Sequence, residues 1–501
     1  MPCVTLLVSS RHTSPSFALS IALEDVLHEF LQAYVAAPQW LKTLLGRAYA
    51  RLPIRWRRGV SYEEFRAQLH DRGVDPVRAL SRQKLVETLR WAITTVPAYQ
   101  PLAPLLADGN APEDILRQWP TVAKRDIKQQ LERYLCTSLP RSTRLRTFTG
   151  GSTAEPLMFY LQKHVTRSRE YAFMEDFEAR VGLVSGRDLV LSLRGRTVPT
   201  ARRPRGPLWM FEPIRHQLIL SSDHLEPRYM PEYLTALRRW QPTYIQAFPS
   251  ALYPLARWLK DHPAVEITSR IRGILLYSEN VFEFQMRLFR EVFGCPIVKH
   301  YGHSERVLMA GSLPDDDRYF FWPQYGYFEL LDEAGRTITE PGVVGEIVGT
   351  GFDNKVMPLI RYRTGDLAVL SNRPHPEFPG YPVVERIEGR LQEFLVMRDA
   401  RLISITTMGA AHFNELATVR AIQYEQREPG RFILKVVTDA PLTLVARERI
   451  ARAVEQKTQG GCLAEVVEVQ ELPRTARGKH VMLIQHLDLA RHLGVPAEPQ
   501  A

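Results

Sequence analysis

Thr147-Phe148-Thr149-Gly150-Gly151-Ser152-Thr153-Ala154-Glu155-Pro156 combines paired glycines and several hydroxyl side chains in one short segment. Glycines let the backbone turn with its N–H groups exposed, and Ser and Thr hydroxyls add adaptable donors, so this loop suits a polyphosphate. A Walker loop would close on Gly-Lys-Ser/Thr, whereas this one closes on Ala154-Glu155-Pro156 and supplies no lysine. Taken alone, the segment also fits an ordinary surface turn.

Length and composition indicate a soluble globular protein of several domains. The 501 residues exceed one ordinary core and predict about two or three domains, and 45% hydrophobic with 24% charged residues is typical of globular chains. A net charge of +10 suggests nucleic acid as one partner. The basic residues are scattered except for residues 194–205, and no recognition motif accompanies them, so nucleic acid is disfavoured. That arginine-rich segment fits either a solvated loop or a contact with coenzyme A phosphates or an acidic carrier domain.

Cysteine spacing and the N-terminal residues predict a cytoplasmic protein. The cysteines are far apart and form no CxxC pair, which favours a reducing compartment: Cys3, Cys136, Cys295 and Cys462. The apolar stretch at residues 17–23 is short and is followed by Glu24 and Asp25, so neither a signal peptide nor a membrane span is expected. Residues 1–26 are interpreted as an extension of uncertain status.

Periodicity predicts a helical start, then an α/β region, then a β-rich region. Residues 27–131 have helical spacing. Predicted strands at residues 189–193, 244–247, 271–276 and 296–298 alternate with predicted helices at residues 165–180, 231–240, 250–261 and 281–293. Closely spaced strands are then predicted at residues 327–331, 345–350, 359–362 and 367–370.

A separate α+β unit is predicted at the C-terminal end. A break falls near Gly389, and beyond it strands are predicted at residues 393–397, 419–426, 431–438 and 464–472, with a helix at residues 444–456. About a hundred residues suffice for an independent small domain.

Further polar segments lie where an α/β protein would bind a ligand. His300-Tyr301-Gly302-His303-Ser304-Glu305 follows the predicted strand at residues 296–298, at its carboxyl end. Arg361-Tyr362-Arg363-Thr364-Gly365-Asp366 is interpreted as a tight turn presenting Asp366, whose carboxylate can accept both hydroxyls of a ribose. Gly389-Arg390 and a loop ending in Lys479 complete the set. Each also fits an ordinary role, such as a helix-start carboxylate, a turn, a linker or a solvated lysine.

In their order along the chain, these motifs resemble those of the adenylate-forming superfamily of acyl- and aryl-CoA ligases, adenylation domains and luciferases. Phe248-Pro249-Ser250 and Tyr277-Ser278-Glu279-Asn280 are similar to the branch of phenylacetate–CoA ligases and CapK-like capsular-polysaccharide proteins. The resemblance extends from about Leu27. It implies an acyl-CoA synthetase-like fold: a large α/β domain at residues 27–388 with a β-rich subdomain, a hinge at 389–393, and a small mobile α+β domain at 394–501.

The resemblance also implies which residues bind ATP. The residues that would hold its β- and γ-phosphates are Thr149, Gly150, Gly151, Ser152 and Thr153. Those that would flank the adenine are Ser278, Glu279, Asn280, Tyr301 and Gly302. Asp366 and Arg390 would hold the ribose.

Catalysis is implied to rest on Ser304, Glu305 and Lys479. Ser304 would contact phosphate, Glu305 would bind Mg²⁺, and Lys479 would bridge ATP and the substrate carboxylate. Mg²⁺ and the lysine matter because both are cations, and a carboxylate that attacks an α-phosphate brings two anions together. Two departures from the family pattern are Ala154, where glycine is usual, and Gln392, where the hinge normally has Asp or Lys.

The implied reaction is ATP-dependent adenylation of a carboxylic acid, followed by transfer to the thiol of coenzyme A or of a carrier protein's phosphopantetheine. The acid pocket is expected between residues 248–250 and 277–305, where aromatic side chains suit an aryl or medium-sized apolar acid. The alternative is a non-catalytic nucleotide-binding homologue that serves polysaccharide or secondary-metabolite assembly, although Lys479, Glu305 and Asp366 are all present. The sequence leaves the oligomeric state open.

Overall fold

The computed structural model describes residues 34, 37–106, 111–148, 157–195, 198, 206–222, 224–225, 227–390, 394–400, 402–405, 419–438, 440–458, 460–473, 481–487 and 489. No helix within these ranges is both long enough and apolar enough to cross a membrane.

The N-terminal region is helical, as its periodicity predicts. Its helices are α1 (Gln39–Ala50), α2 (Ile54–Arg58), α3 (Ser61–Ala67), α4 (Val74–Thr95), α5 (Pro112–Gln118) and α6 (Lys124–Gln130). The long α4 buries Leu85, Leu89 and Ala92, whose spacing of three and four residues forms one apolar stripe. Helix α4 therefore packs through a single face.

One large sheet organises most of the described chain. A separate hairpin, β1 (Arg144–Phe148) with β2 (Met158–Gln162), precedes it. The sheet has twelve described strands in the order β11-β12-β13-β14-β10-β9-β8-β7-β6-β3-β5-β4. Their bounds are β3 (Val190–Leu193), β4 (Trp209–Glu212), β5 (Gln217–Leu220), β6 (Tyr244–Ala247), β7 (Gly273–Leu276), β8 (Ile297–Gly302), β9 (Met309–Gly311), β10 (Tyr319–Phe321), β11 (Gly326–Leu331), β12 (Val344–Gly351), β13 (Tyr362–Leu370) and β14 (Val383–Arg390).

The half of the sheet formed by β5, β3, β6, β7 and β8 is parallel. Strands β3, β6 and β7 are buried at every position, as expected where helices cover both faces. The accompanying helices are α7 (Thr166–Ala179), α8 (Met230–Trp240), α9 (Pro249–Asp261), α10 (Val265–Thr268) and α11 (Glu283–Phe293). The other half, from β8 to β11, is antiparallel. The predicted mixed α/β fold with a β-rich part is therefore confirmed.

The described C-terminal residues form an α+β unit with its own apolar core. A hairpin of β15 (Phe394–Val396) and β16 (Leu402–Ser404) precedes a four-stranded sheet in the order β19-β18-β17-β20. The remaining bounds are β17 (Val419–Glu428), β18 (Arg431–Thr438), α12 (Leu444–Lys457), β19 (Leu463–Glu468) and β20 (Leu483–Gln485). The core of this unit includes Leu434, Ile450 and Val454.

Two local predictions are wrong, and both errors bear on the site. The predicted strand at residues 359–362 is absent because Arg361 adopts a φ of 49°, which breaks an extended chain, and β13 begins only at Tyr362. The predicted turn before Asp366 is instead a bulge within β13, where Gly365 has a φ of 76° and the register shifts opposite Ile347. Asp366 therefore projects from a strand.

Candidate functional site

The candidate nucleotide site lies where β8 ends and β13 bulges. The structure extends the strand predicted at residues 296–298 through Gly302, so Tyr301 lies in β8 itself. The Tyr301 hydroxyl donates a hydrogen bond of 2.8 Å to Asp366 Oδ2. Because β9, β10 and β14 lie between these strands in the sheet, the contact requires that the sheet curve strongly here. Two residues predicted to bind the nucleotide are thus brought into direct contact.

Asp366 also lies directly opposite Arg390 in the antiparallel pair of β13 and β14. The bulge that presents Asp366 is held from β12: the Gly365 N–H donates to Glu346 Oε1 over 3.1 Å, and the Thr364 hydroxyl donates to the Ile347 carbonyl over 2.7 Å. Backbone register therefore brings together the two residues predicted to hold the ribose.

Glu305 occupies the turn that immediately follows β8. Its Oε1 accepts a hydrogen bond of 2.7 Å from the Tyr362 hydroxyl, at the start of β13. The ring of Tyr362 stacks on that of His303, with centroids 6.4 Å apart. Nothing in the sequence singles out Tyr362 as the partner of Glu305, because the pairing depends on how the sheet curves.

A fully buried arginine anchors this turn from α7. Arg169 donates a hydrogen bond of 2.8 Å to the carbonyl of Arg306 and a second bond to the carbonyl of Phe352, while its guanidinium lies 4.0 Å from the centroid of the Tyr325 ring. Arg306 adopts a φ of 55° and donates back to the Thr166 carbonyl over 2.9 Å. The turn carrying Ser304 and Glu305 is thereby fastened to α7.

The sequence contains a signal for this anchor. Arg169, Phe173 and Phe177 recur every four residues and share one face of α7, so an arginine stands where the periodicity requires an apolar residue. An arginine at such a position must find acceptors inside the protein.

The segment after β7 is joined to the start of α9. Glu279 accepts two hydrogen bonds of 3.0 Å from Ser250, one from its N–H and one from its hydroxyl. A carboxylate at this position satisfies an amide of the helix start and is favoured by the helix dipole. This contact fixes the positions of Ser278 and Asn280 relative to α9, and Ser278 adopts a φ of 60°.

Three predicted features lie wholly or partly outside the described residues. Thr149–Thr153 and Lys479 belong to the undescribed ranges 149–156 and 474–480, and only the backbone of Arg390 is described. Phe148 and Met158 pair in the β1–β2 hairpin, so the two ends of the predicted phosphate loop are held beside each other.

Comparison with known proteins places this geometry in context. No protein-family model matches the chain. The chain is 23% identical to protein CapK of Staphylococcus aureus over 324 residues, which cover 64% of this chain and 69% of CapK. It is 24% identical to a phenylacetate–coenzyme A ligase of Escherichia coli strain K12 over 344 residues, covering 65% of this chain and 74% of that ligase.

A solved structure with a similar fold is a 2-hydroxyisobutyryl-CoA ligase in its postadenylation state in complex with R3-HIB-AMP. It superposes with a TM-score of 0.62 at 18% identity, covering 84% of this chain and 91% of the ligase. The fold is therefore that of the adenylate-forming ligases. In sequence, the chain is a homologue of phenylacetate–CoA ligases and CapK.

Proposed function

We propose that this chain is an acid–thiol ligase, which adenylates a carboxylic acid with ATP and transfers the acyl group to coenzyme A. The observation that carries the proposal is the convergence at the end of β8, where Tyr301 holds Asp366 and Tyr362 holds Glu305. Glu305 follows the carboxyl end of β8, which is parallel to β7, and α/β proteins bind nucleotides at such strand ends. Asp366 reaches the same place from β13. The homologues named as phenylacetate–CoA ligases support the same reaction class.

In this proposal, the ribose is bound by Asp366 and Arg390. The adenine is lined by Ser278, Asn280 and Tyr301, and the phosphates are held by residues 149–153. A carboxylate accepts both ribose hydroxyls at once, and the hydrogen bond from Tyr301 fixes its orientation. The bulge in β13 matters because it turns Asp366 out of the regular ladder.

Glu305 fits a Mg²⁺ site shared with the nucleotide. Within the described ranges, no group of three or more His, Cys, Asp or Glu side chains is arranged to hold a metal ion. A single carboxylate is nevertheless enough, because Mg²⁺ in such enzymes is held by one or two carboxylates together with phosphate oxygens and waters. When bound, Mg²⁺ neutralises phosphate charge and stabilises the departing pyrophosphate.

Adenylation forms a bond between an oxygen of the acid and the α-phosphorus and breaks the bond to pyrophosphate. The main barrier is repulsion between two anions together with their alignment, so Lys479 would pin the attacking carboxylate while Ser304 donates to phosphate. Losing one such preorganised group costs roughly 10²–10³-fold in rate.

The thiol then attacks the acyl carbon, AMP leaves, and a thioester forms. We propose that residues 394–501 rotate between the two steps and withdraw Lys479. Because β14 continues through Arg390, the pivot would lie at residues 391–393. Coenzyme A or a carrier protein's phosphopantetheine would supply the thiol, and the setting would be the cytoplasm.

The test is carboxylate-dependent exchange of pyrophosphate into ATP across a panel of acids, with wild type beside Lys479→Ala. We expect one or more acids to stimulate exchange and the Lys479→Ala rate to fall by roughly 10²-fold or more. ATP binding without exchange for any acid would support the non-catalytic homologue instead. Equal exchange by the variant would remove Lys479 from its role.

A further inference from the structure

A group of buried and half-buried polar side chains lies between α7 and the parallel strands. This buried polar cluster consists of Glu178, Gln246 and Tyr277, which are buried, together with Arg194 and His300, which are half-buried. Arg194 directly follows β3, Tyr277 directly follows β7, and His300 lies near the end of β8. All three therefore stand at the carboxyl ends of parallel strands, the edge at which α/β proteins bind ligands.

The cluster adjoins the candidate nucleotide site. Tyr277 precedes Ser278 in the chain, and His300 precedes Tyr301. Successive side chains of a strand point to opposite faces. Tyr301 points to Asp366, whereas His300 points to α7, where its ring packs 5.4 Å from that of Phe177. A ligand that crosses the end of β8 can therefore contact both the candidate nucleotide site and the buried polar cluster.

The contacts inside the cluster are few for so many polar groups. Gln246 donates a hydrogen bond of 2.8 Å to Glu178 Oε1. The Arg194 guanidinium lies 4.0 Å from the centroid of the Tyr277 ring, and the Tyr277 and His300 rings are 5.3 Å apart.

Two polar atoms of the cluster are buried without a hydrogen-bond partner. The Tyr277 hydroxyl, on a side chain that is 1% exposed, and His300 Nε2 find no hydrogen-bond partner within the described part of the chain. Leaving one buried polar group unpaired costs about 1–3 kcal/mol. The presence of two such atoms side by side is explained if a polar ligand group completes the cluster.

The pKa values of Glu178 and His300 agree with a site that binds a polar ligand group. Burial raises the pKa of Glu178 to about 7 and lowers the pKa of His300 to about 4. Near neutral pH, His300 is therefore uncharged, and Glu178 is present in part as a neutral carboxyl that can both donate and accept. Together with Arg194, these groups offer donors and acceptors to an uncharged hydroxyl.

We propose that the buried polar cluster is the acyl end of the acid pocket and that the acid it selects carries a hydroxyl group. The inference rests on the proposed adenylation, which brings the reacting carboxylate to the α-phosphate of a nucleotide bound beside Tyr301 and Asp366. A phenyl or alkyl group in the cluster would leave the Tyr277 hydroxyl and His300 Nε2 without a hydrogen-bond partner. The aryl or medium-sized apolar acid expected from the aromatic side chains is thereby narrowed to one that carries a hydroxyl group.

The test compares acids of one carbon skeleton with and without a hydroxyl. The pairs are 3-hydroxybutyrate with butyrate and 4-hydroxyphenylacetate with phenylacetate, and the readout is kcat/KM in pyrophosphate exchange. We expect wild type to prefer the hydroxylated member of at least one pair by about 10-fold or more, because a site built to hydrogen-bond a hydroxyl rejects the analogue lacking it.

Substitutions at Glu178 test whether the preference for hydroxylated acids comes from the buried polar cluster. Glu178→Leu should reduce the ratio of kcat/KM between hydroxylated and unhydroxylated acid to near unity, with the KM for ATP unchanged. Glu178→Gln keeps an acceptor for Gln246 and should reduce this ratio less. Glu266→Gln, at an exposed residue paired with Arg238, is the matched control and should keep the full preference.

Two results would overturn the inference in distinguishable ways. If apolar acids are exchanged as well as or better than their hydroxylated partners, the hydroxy-acid proposal fails while adenylation stands. If no acid on the panel supports exchange although ATP binds, the proposed function fails and the inference fails with it.

Discussion

Glu305 and Asp366 are each oriented by a tyrosine hydroxyl, at 2.7 Å from Tyr362 and 2.8 Å from Tyr301. A hydroxyl that donates to a carboxylate fixes its rotamer and leaves the other oxygen directed elsewhere. The two residues proposed to bind the metal and the ribose are therefore positioned before any ligand arrives. The predictions at the residue scale concern these two hydrogen bonds and the carboxylates that accept them.

Tyr362→Phe removes the donor that orients Glu305 and keeps the ring. We expect the Mg²⁺ concentration for half-maximal exchange to rise about 10-fold, because partners that orient a metal ligand are worth roughly 10–100-fold in metal affinity. Glu305→Gln should raise it further. The control is Tyr319→Phe, at a buried tyrosine on β10. If the Mg²⁺ requirement is unchanged in Tyr362→Phe and Glu305→Gln, Glu305 does not bind the metal.

Asp366→Asn removes the charge that is proposed to accept the ribose hydroxyls. ATP binding, measured by calorimetry, should weaken about 10–100-fold, the range for a hydrogen bond to a charged group. Asp332→Asn, in the turn where Asp332 pairs with the exposed Arg336, provides the control outside the site. Unaltered affinity in Asp366→Asn would show that the ribose is bound elsewhere.

At the scale of elements, α7 supports the site through its arginine. Arg169 joins three loops by their carbonyl oxygens, those of Tyr325, Phe352 and Arg306. The turn after β8 has no regular secondary structure of its own, so its position depends on this helix.

Arg169→Met should therefore destabilise the protein and loosen the site together. We expect the free energy of unfolding in urea to fall by about 3 kcal/mol, because several buried carbonyls lose their donor. Arg336→Met, at an exposed arginine, should change it by less than about 0.5 kcal/mol. A loss in Arg169→Met no larger than in this control would contradict the anchoring role.

The elements show which parts of the fold a sequence can reveal. The strand predicted at residues 244–247 matches β6 because a short apolar run is bounded by Pro242 and Pro249. The turn predicted before Asp366 is wrong because the φ of Arg361 and the bulge at Gly365 depend on neighbouring strands. Likewise, the family resemblance indicated Glu305, but its contact with Tyr362 depends on how the whole sheet curves.

At the scale of the whole molecule, two buried groups oppose each other as pH changes. The pKa of Glu178 is raised to about 7, so the folded state binds the extra proton and stability is lost as pH rises from about 4.5 to 7. The pKa of His300 is lowered to about 4, so stability is lost as pH falls from about 6.5 to 4. The two contributions cancel in part within the same window.

Glu178→Gln should remove the contribution of Glu178 to the pH dependence of stability and leave that of His300. Relative to wild type, the variant should gain about 3 kcal/mol of stability between pH 4.5 and pH 7.5, since one pKa unit corresponds to about 1.4 kcal/mol. Chemical unfolding at pH steps across this window gives the difference directly. A difference that does not change with pH would mean that Glu178 is not a buried titrating group.

The central claim is that the chain activates an acid as its adenylate, and the most direct measurement is the products formed from ATP without a thiol. Wild type, Mg²⁺, ATP and the best acid of the panel should yield pyrophosphate and enzyme-bound acyl-AMP, seen by mass spectrometry, and only when the acid is present. Adding coenzyme A should convert the acyl-AMP to a thioester and release AMP. Formation of ADP and phosphate, or of AMP without an acid, would contradict the account.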